Sequence, residues 1–153
     1  MTTNNLEDDL IRDEGERLRA YRDTKGIWTI GIGHNIEADP VENPQLQHLI
    51  NPGIDRATVD ELFASDLGNA KSQLGLHLPW WTELDDIRQD VLVNMTFNMG
   101  INTLLQFHNT LAKLQAGDYD GAADGMLASA WAGQVGQRAQ RLATQMRTGV
   151  HQA

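Results

Sequence analysis

The chain has no cysteine, four prolines and no long apolar run. Without cysteine it has neither a disulfide framework nor thiolate catalysis. No window approaches the roughly 18 consecutive apolar residues of a membrane-spanning helix, so we expect no membrane insertion. The acidic N-terminal segment lacks the basic and apolar regions of a cleaved signal peptide, so we expect synthesis in the cytoplasm.

Basic residues are also scarce, with 12 Lys and Arg against 21 Asp and Glu and a net charge of −9. Because nucleic-acid-binding domains normally present a basic face, we expect no nucleic-acid partner. No acidic residue follows Asp124, whereas Arg138, Arg141 and Arg147 do. This basic end has two explanations. It is a solvated helix face, or it faces an anionic group, which is an anionic polymer or an active-site carboxylate.

The hydrophobic pattern predicts a single α+β domain that is mainly α. A helix over 4–14 precedes two strands at 17–23 and 27–33, and a loop over 36–54 holds a short helix near Gln45–Ile50. Asp55 is a candidate N-cap for a long helix. Helices are predicted at about 56–75, 83–99, 103–116, 119–130 and 136–147.

These elements predict two lobes within the single domain 1–153. A small N-terminal β lobe covers about 13–55, a connecting helix about 56–75, and a helical C-terminal lobe about 76–153, with helix 4–14 packed near the cleft. A cleft between two lobes is a common binding place for a polymer.

The second predicted strand has two unlike faces. Trp28, Ile30 and Ile32 share one face, whereas Thr29 and two glycines share the other. Because glycine weakens a strand, this bare face needs a reason. It either leaves room for a substrate or allows another part of the backbone to approach closely.

Glu14, Asp23 and Thr29 form a candidate catalytic set around the first hairpin. Hydrolysis of a glycosidic bond needs an acid that protonates the leaving oxygen and a second group that assists at the anomeric carbon. Glu14, at a helix end, is the better candidate for the acid, and Asp23, at a solvated turn, for the ionised carboxylate. Thr29 is then placed to hold the attacking water.

Several segments together resemble the phage-type lysozymes of glycoside hydrolase family 24. The signature consists of Glu14-Gly15, then the segment YRDT at 21–24, then GIWTIGIGH at 26–34, without gaps. The segments NMTFNMG at 94–100, FHNTL at 107–111, SAW at 129–131 and RTG at 147–149 extend the resemblance over most of the chain.

The resemblance implies a lysozyme-like two-lobe fold and hydrolysis of the β-1,4 bond between N-acetylmuramic acid and N-acetylglucosamine of bacterial peptidoglycan, with inversion at the anomeric carbon. It implies Glu14 as the general acid, Asp23 as the group that assists water or stabilises charge, and Thr29 as the residue that positions the water. It implies no cofactor and no metal.

The resemblance also suggests supporting residues. It implies a structural ion pair between His34 and Asp66 and an Arg138 that faces Glu14 across the cleft. A solvated helix face for Arg138 and a core position for Phe97 are the alternatives. The candidate substrate-binding residues are Asn35, Phe97, Asn98, Thr110 and Arg138.

The implied partners are the glycan strands of peptidoglycan, and the protein is expected to be a monomer. It is expected to be made in a host cytoplasm and to act on the wall after release or within a virion. The acidic surface leaves open a delivery partner, a holin or a virion component, and also a protein adapted to a different wall. Two other functions stay open. A peptidoglycan-binding module without turnover would lack Glu14 or Asp23, and both are present. A lytic transglycosylase would leave a 1,6-anhydro sugar.

Overall fold

The computed structural model describes residues 4–41 and 46–153. The fold is α+β and mainly helical, as the sequence predicted. Its first half contains α1 (Asn4–Glu14), β1 (Arg17–Arg22), β2 (Trp28–Gly31), β3 (His34–Asn35), α2 (Leu46–Ile50) and α3 (Arg56–His77). A 3₁₀ turn (Pro79–Glu83) and α4 (Asp86–Met99), α5 (Ile101–Leu104), α6 (His108–Gln115), α7 (Tyr119–Leu127), α8 (Ala130–Val135) and α9 (Gln137–Thr148) follow.

The chain forms two compact units. The β unit is Leu10–Asn69, and the helical unit consists of the described residues before Leu10 together with Ala70–Ala153. The boundaries between the units therefore fall within α1 and α3. No helix in the described part of the chain is both long and apolar enough to cross a membrane.

The sheet of the β unit is antiparallel, in the order β1-β2-β3. The predicted second strand is too long, because β2 ends at Gly31. Gly31 and Gly33 have φ values of +65° and +66°, which turn the chain back so that His34 and Asn35 form a third strand. His34 therefore belongs to β3, where Ile30 pairs with it.

The strand face that carries Thr29 and the glycines is not the open surface that the sequence suggested at Gly31. A Cβ atom on Gly31 would lie 3.6 Å from a methyl group of Val59 in α3. Gly31 is itself buried. The neighbour of Gly31 is thus a side chain at an ordinary contact distance rather than an approaching backbone. Both glycines are explained by the positive φ values that turn the chain after β2, a reason that the sequence analysis did not consider.

A small apolar core holds the β unit together. Its buried members are Ala20, Ile30, Ile36 and Leu49, and they pack against the partly buried Trp28, Val41, Ile54 and Leu62. The predicted cap of α3 is confirmed, since Asp55 Oδ1 accepts a hydrogen bond of 2.8 Å from the Thr58 backbone N–H. The short helix predicted near Gln45–Ile50 is α2, although Gln45 lies outside the described residues.

In the helical unit, one predicted helix is divided and another is shorter than predicted. The segment predicted over 103–116 is interrupted where Gln106 and Phe107 donate to carbonyls three residues back, the spacing of a 3₁₀ turn. The segment predicted over 119–130 ends at Leu127, and the Ser129 hydroxyl then caps α8. The predicted helix at 83–99 begins later, at Asp86, after the 3₁₀ turn.

Helix α9 packs against α4 and α7 and is fixed at its C-terminal end by Arg88. The Arg88 guanidinium donates to the carbonyls of Met146 and Arg147 at 2.7 and 3.0 Å and lies 3.5 Å from the ring centroid of Tyr119. These bonds satisfy carbonyls that a helix end leaves without intrahelical partners.

Candidate active site

Asp23 stands at the turn between β1 and β2, where the backbone fixes its carboxylate. Its Oδ1 accepts hydrogen bonds from the backbone N–H groups of Lys25 and Ile27, at 2.8 and 2.9 Å. The Asp23 N–H in turn donates to the Ile27 carbonyl at 2.9 Å. Within the part of the chain that the structure describes, Oδ2 has no hydrogen-bond partner, so one oxygen is anchored and the other is available.

Thr29 is tied to the same backbone unit. Its hydroxyl donates to the Ile27 carbonyl at 2.9 Å, and the residue is 4% exposed. Ile27 therefore bonds Asp23 through its N–H and Thr29 through its carbonyl. This shared partner holds two of the three predicted catalytic residues in a fixed relation.

Glu14 is the last residue of α1 and is partly buried. Its carboxylate rests on the backbone of Gly33, where an added Cβ atom would lie 2.8 Å from Glu14 Oε2. No side chain larger than hydrogen fits there without displacing the carboxylate. The turn after β2 thus supports Glu14, a role that the sequence analysis did not assign to Gly33.

Tyr21 is a second residue that sequence reasoning missed. It pairs directly with Thr29 across the sheet, and the Arg17 guanidinium lies 4.5 Å from its ring centroid. Burial raises the pKa of the Tyr21 phenol, Arg17 lowers it, and Glu14 and Asp23 raise it further, with a raised pKa as the net result. Both carboxylates therefore lie within electrostatic range of this phenol. The available signal was its place two residues before Asp23 in the YRDT segment.

His34 and Asp66 lie together as the resemblance implied. His34 Nδ1 is 2.8 Å from Asp66 Oδ2, and Nε2 is 2.7 Å from the Asp39 carbonyl oxygen. Because both partners are acceptors, both ring nitrogens must donate, which is the charged form of the ring. Burial lowers the pKa of His34, but the bonds to Asp66 and Asp39 outweigh it and the pKa is raised.

The same three residues form the one group of potential metal ligands among the described residues. A histidine can ligate a metal only through a nitrogen that keeps its lone pair. Both nitrogens of His34 are already used as donors, so this arrangement suits an ion pair rather than a bound cation.

Asn35 is the one predicted saccharide contact in the β unit. It pairs with Thr29 from the opposite side to Tyr21, and its Oδ1 accepts from the Ala38 N–H at 2.9 Å. Its amide NH₂ makes no hydrogen bond within the described residues, so it keeps donors for a ligand.

The other predicted contacts belong to the helical unit. Asn98 Oδ1 accepts from the Trp131 indole at 2.7 Å, and the Thr110 hydroxyl lies against Gly125 in a residue that is 7% exposed. Arg138 is also 7% exposed, and its Nε donates to Asn94 at 3.0 Å. Phe97 is partly buried. Contact of these residues with a substrate stays a prediction.

Comparison with known proteins gives consistent matches. The profile of the Phage lysozyme family matches residues 12–147. A protein named Probable T4-type lysozyme 1, from Dictyostelium discoideum, is 32% identical over 94% of both chains. The Endolysin of Salmonella phage P22 is 32% identical over 77% of this chain and 75% of its own length.

A further relative is a larger protein. The Pre-baseplate central spike protein Gp5 of Enterobacteria phage T4 is 34% identical over 92% of this chain, which spans 27% of that protein. The family profile covers most of the chain and carries the assignment. The chain belongs to the phage lysozyme family and is a glycoside hydrolase, a muramidase of bacterial peptidoglycan.

Proposed function

We propose that Glu14 is the general acid of this muramidase and protonates the glycosidic oxygen as the bond breaks. Its position supports this role, because it ends a helix and its carboxylate lies against Gly33, which has no Cβ atom to displace it. A proton donor must be held in place relative to the leaving oxygen.

Asp23 and Thr29 act on the attacking water and the anomeric carbon. Asp23 Oδ1 is anchored by two N–H groups, so Oδ2 is the oxygen that takes a proton from the attacking water or faces the positive charge at the anomeric carbon. The Thr29 hydroxyl hydrogen is committed to Ile27, so its oxygen accepts a hydrogen bond from that water. Their common attachment to Ile27 is the observation that carries the proposal.

Glycan strands of peptidoglycan are the substrate, and Asn35, Phe97, Asn98, Thr110 and Arg138 are proposed to contact them. The enzyme acts on the wall after release from the cytoplasm or as part of a virion. A delivery partner, a holin or a virion component, is supported by the net charge of −9, which opposes approach to an anionic wall, and by the similarity to a spike protein.

The test is turnover of purified peptidoglycan by wild type and Glu14→Gln, with products identified by mass. We expect the variant to lose roughly 10²–10⁴-fold in rate, which is the usual contribution of general acid catalysis, and to keep its melting temperature. Wild type should release reducing N-acetylmuramic acid ends.

Glu16→Gln is the matched control. It makes the same acid-to-amide change two residues away, at a side chain that pairs with Arg56 at 2.9 Å. Its rate should equal that of wild type. Full activity of Glu14→Gln would contradict the acid assignment, and 1,6-anhydro ends from wild type would identify a lytic transglycosylase instead.

A further inference from the structure

Three polar side chains form a row across the sheet of the β unit. Tyr21 in β1 pairs with Thr29 in β2, and Thr29 pairs with Asn35 in β3. Directly paired residues of antiparallel strands place their side chains on the same face, about 5 Å apart. A phenol, a hydroxyl and an amide therefore stand side by side, with the proposed water-holding residue in the centre.

The two outer members of this row are available to a ligand. The Tyr21 hydroxyl makes no hydrogen bond to any residue that the structure describes, and Asn35 uses only its Oδ1. Tyr21 is partly buried. The phenol, on the face that carries Thr29, therefore has a hydrogen-bond donor that no described residue uses.

The surroundings of Tyr21 keep this donor in place and protonated. The Arg17 guanidinium lies over the ring at 4.5 Å, a cation–π distance that restrains the side chain. Burial is the main cause that raises the pKa of the phenol, and the two carboxylates add to it. Around neutral pH the hydroxyl is therefore a neutral donor within electrostatic range of Glu14 and Asp23.

We propose that Tyr21 is a substrate-positioning residue whose hydroxyl donates a hydrogen bond to an oxygen of the saccharide lying between Glu14 and Asp23. The acceptor is a ring hydroxyl or an N-acetyl carbonyl, because these are the oxygens that an amino-sugar polymer offers along its length. Tyr21 holds the sugar over Thr29 and its water, and takes no part in proton transfer. This inference rests on the proposed function.

Tyr21→Phe tests the proposal because it removes the hydroxyl and keeps the ring under Arg17. One neutral hydrogen bond contributes about 1 kcal/mol, so we expect KM for soluble peptidoglycan fragments to rise roughly fivefold. We expect kcat to change less than about twofold and the pH profile and melting temperature to be unchanged, since the proton-transfer groups and the packing are untouched.

Tyr119→Phe is the matched control. Tyr119 is the other tyrosine of the chain and also has an arginine, Arg88, over its ring, but it lies on α7 in the helical unit. Its KM should equal that of wild type. An unchanged KM in Tyr21→Phe, or a rise shared equally by Tyr119→Phe, would overturn the proposal.

A direct binding measurement separates this proposal from the function on which it rests. Calorimetric titration with a purified muramic acid–glucosamine tetrasaccharide is done in the Glu14→Gln background, where the sugar is not hydrolysed. Adding Tyr21→Phe to that variant should weaken binding about fivefold. An inactive wild type would contradict the proposed chemistry, and equal binding by both proteins would contradict the role of Tyr21 whatever the activity.

Discussion

At the scale of single residues, the site depends on a residue with no side chain. Glu14 rests on Gly33, whose added Cβ atom would lie 2.8 Å from Oε2. Gly33→Ala should therefore push the carboxylate away from its seat. Because a misplacement of about 1 Å can cost 10²-fold in rate, we expect at least about a tenfold loss in kcat/KM, measured on peptidoglycan fragments.

Gly117→Ala separates this displacement from backbone strain. Gly117 lies between α6 and α7, away from the candidate active-site residues, and has a φ of +83°, but an added Cβ atom would meet nothing within 4 Å. Both variants should lose a similar stability, about 1–2 kcal/mol, from an unfavourable φ. Only Gly33→Ala should lose activity. Equal activity in the two variants would show that Glu14 does not depend on Gly33.

Residue types and their order were enough to nominate Glu14, Asp23 and Thr29, but not to show what holds them. The link through the Ile27 peptide depends on how the turn after Asp23 closes. Tyr21 was missed for a similar reason. Its place beside Thr29 follows from the register of β1 against β2, and that register contains an irregularity between Arg17 and Tyr21 that no periodicity reveals.

At the scale of elements, the ion pair of His34 and Asp66 joins β3 to α3 within the β unit. In the folded state the pKa of His34 lies above its ordinary value of 6.5. Burial lowers this pKa, but the bonds to Asp66 and Asp39 raise it by more. A raised pKa means that the folded state binds the proton more tightly than the unfolded chain. This contribution to stability is fully present below about pH 6.5 and is lost as the pH rises through the folded pKa.

We therefore expect the free energy of unfolding of His34→Gln to fall furthest below that of wild type between about pH 5 and 6. The difference between the two free energies should become smaller above the folded pKa. Chemical unfolding of both proteins from pH 5 to 9 measures it. His48→Gln, which changes an exposed histidine on α2, should follow the wild-type curve. A difference independent of pH would show that His34 contributes by packing alone.

Element types were predicted better than element ends. Hydrophobic spacing identified α1, α3 and α9, because each keeps one period along its length. It did not reveal that β2 ends at Gly31, where a positive φ turns the chain, or that the helix predicted over 103–116 is interrupted by 3₁₀ bonds. Ser129, the cap of α8, could have been recognised as a helix start.

At the scale of the whole molecule, the arginines after Asp124 do not amount to an open cationic surface. Arg147 bonds Asp124 at 2.7 Å, which raises the pKa of its guanidinium, and lies 3.4 Å from Asp120. Arg138 is buried and donates to Asn94. Arg147 and Arg138 thus bond acceptors within the helical unit, and the net charge of −9 remains after all arginines are counted.

That charge should govern how the enzyme meets its substrate. Peptidoglycan carries carboxylates on its peptide stems, so both partners are negative at neutral pH. Charges screen over about 30 Å at 0.01 M salt and about 8 Å at 0.15 M. We therefore expect the rate on intact walls to rise about two- to fivefold across this range, because repulsion slows encounter until salt screens it.

The double variant Asp60→Lys/Glu61→Lys changes two exposed side chains of α3 and makes the charge four units less negative. Its salt dependence should be flatter, whereas the same rise in both proteins would show that the acidic surface does not limit encounter.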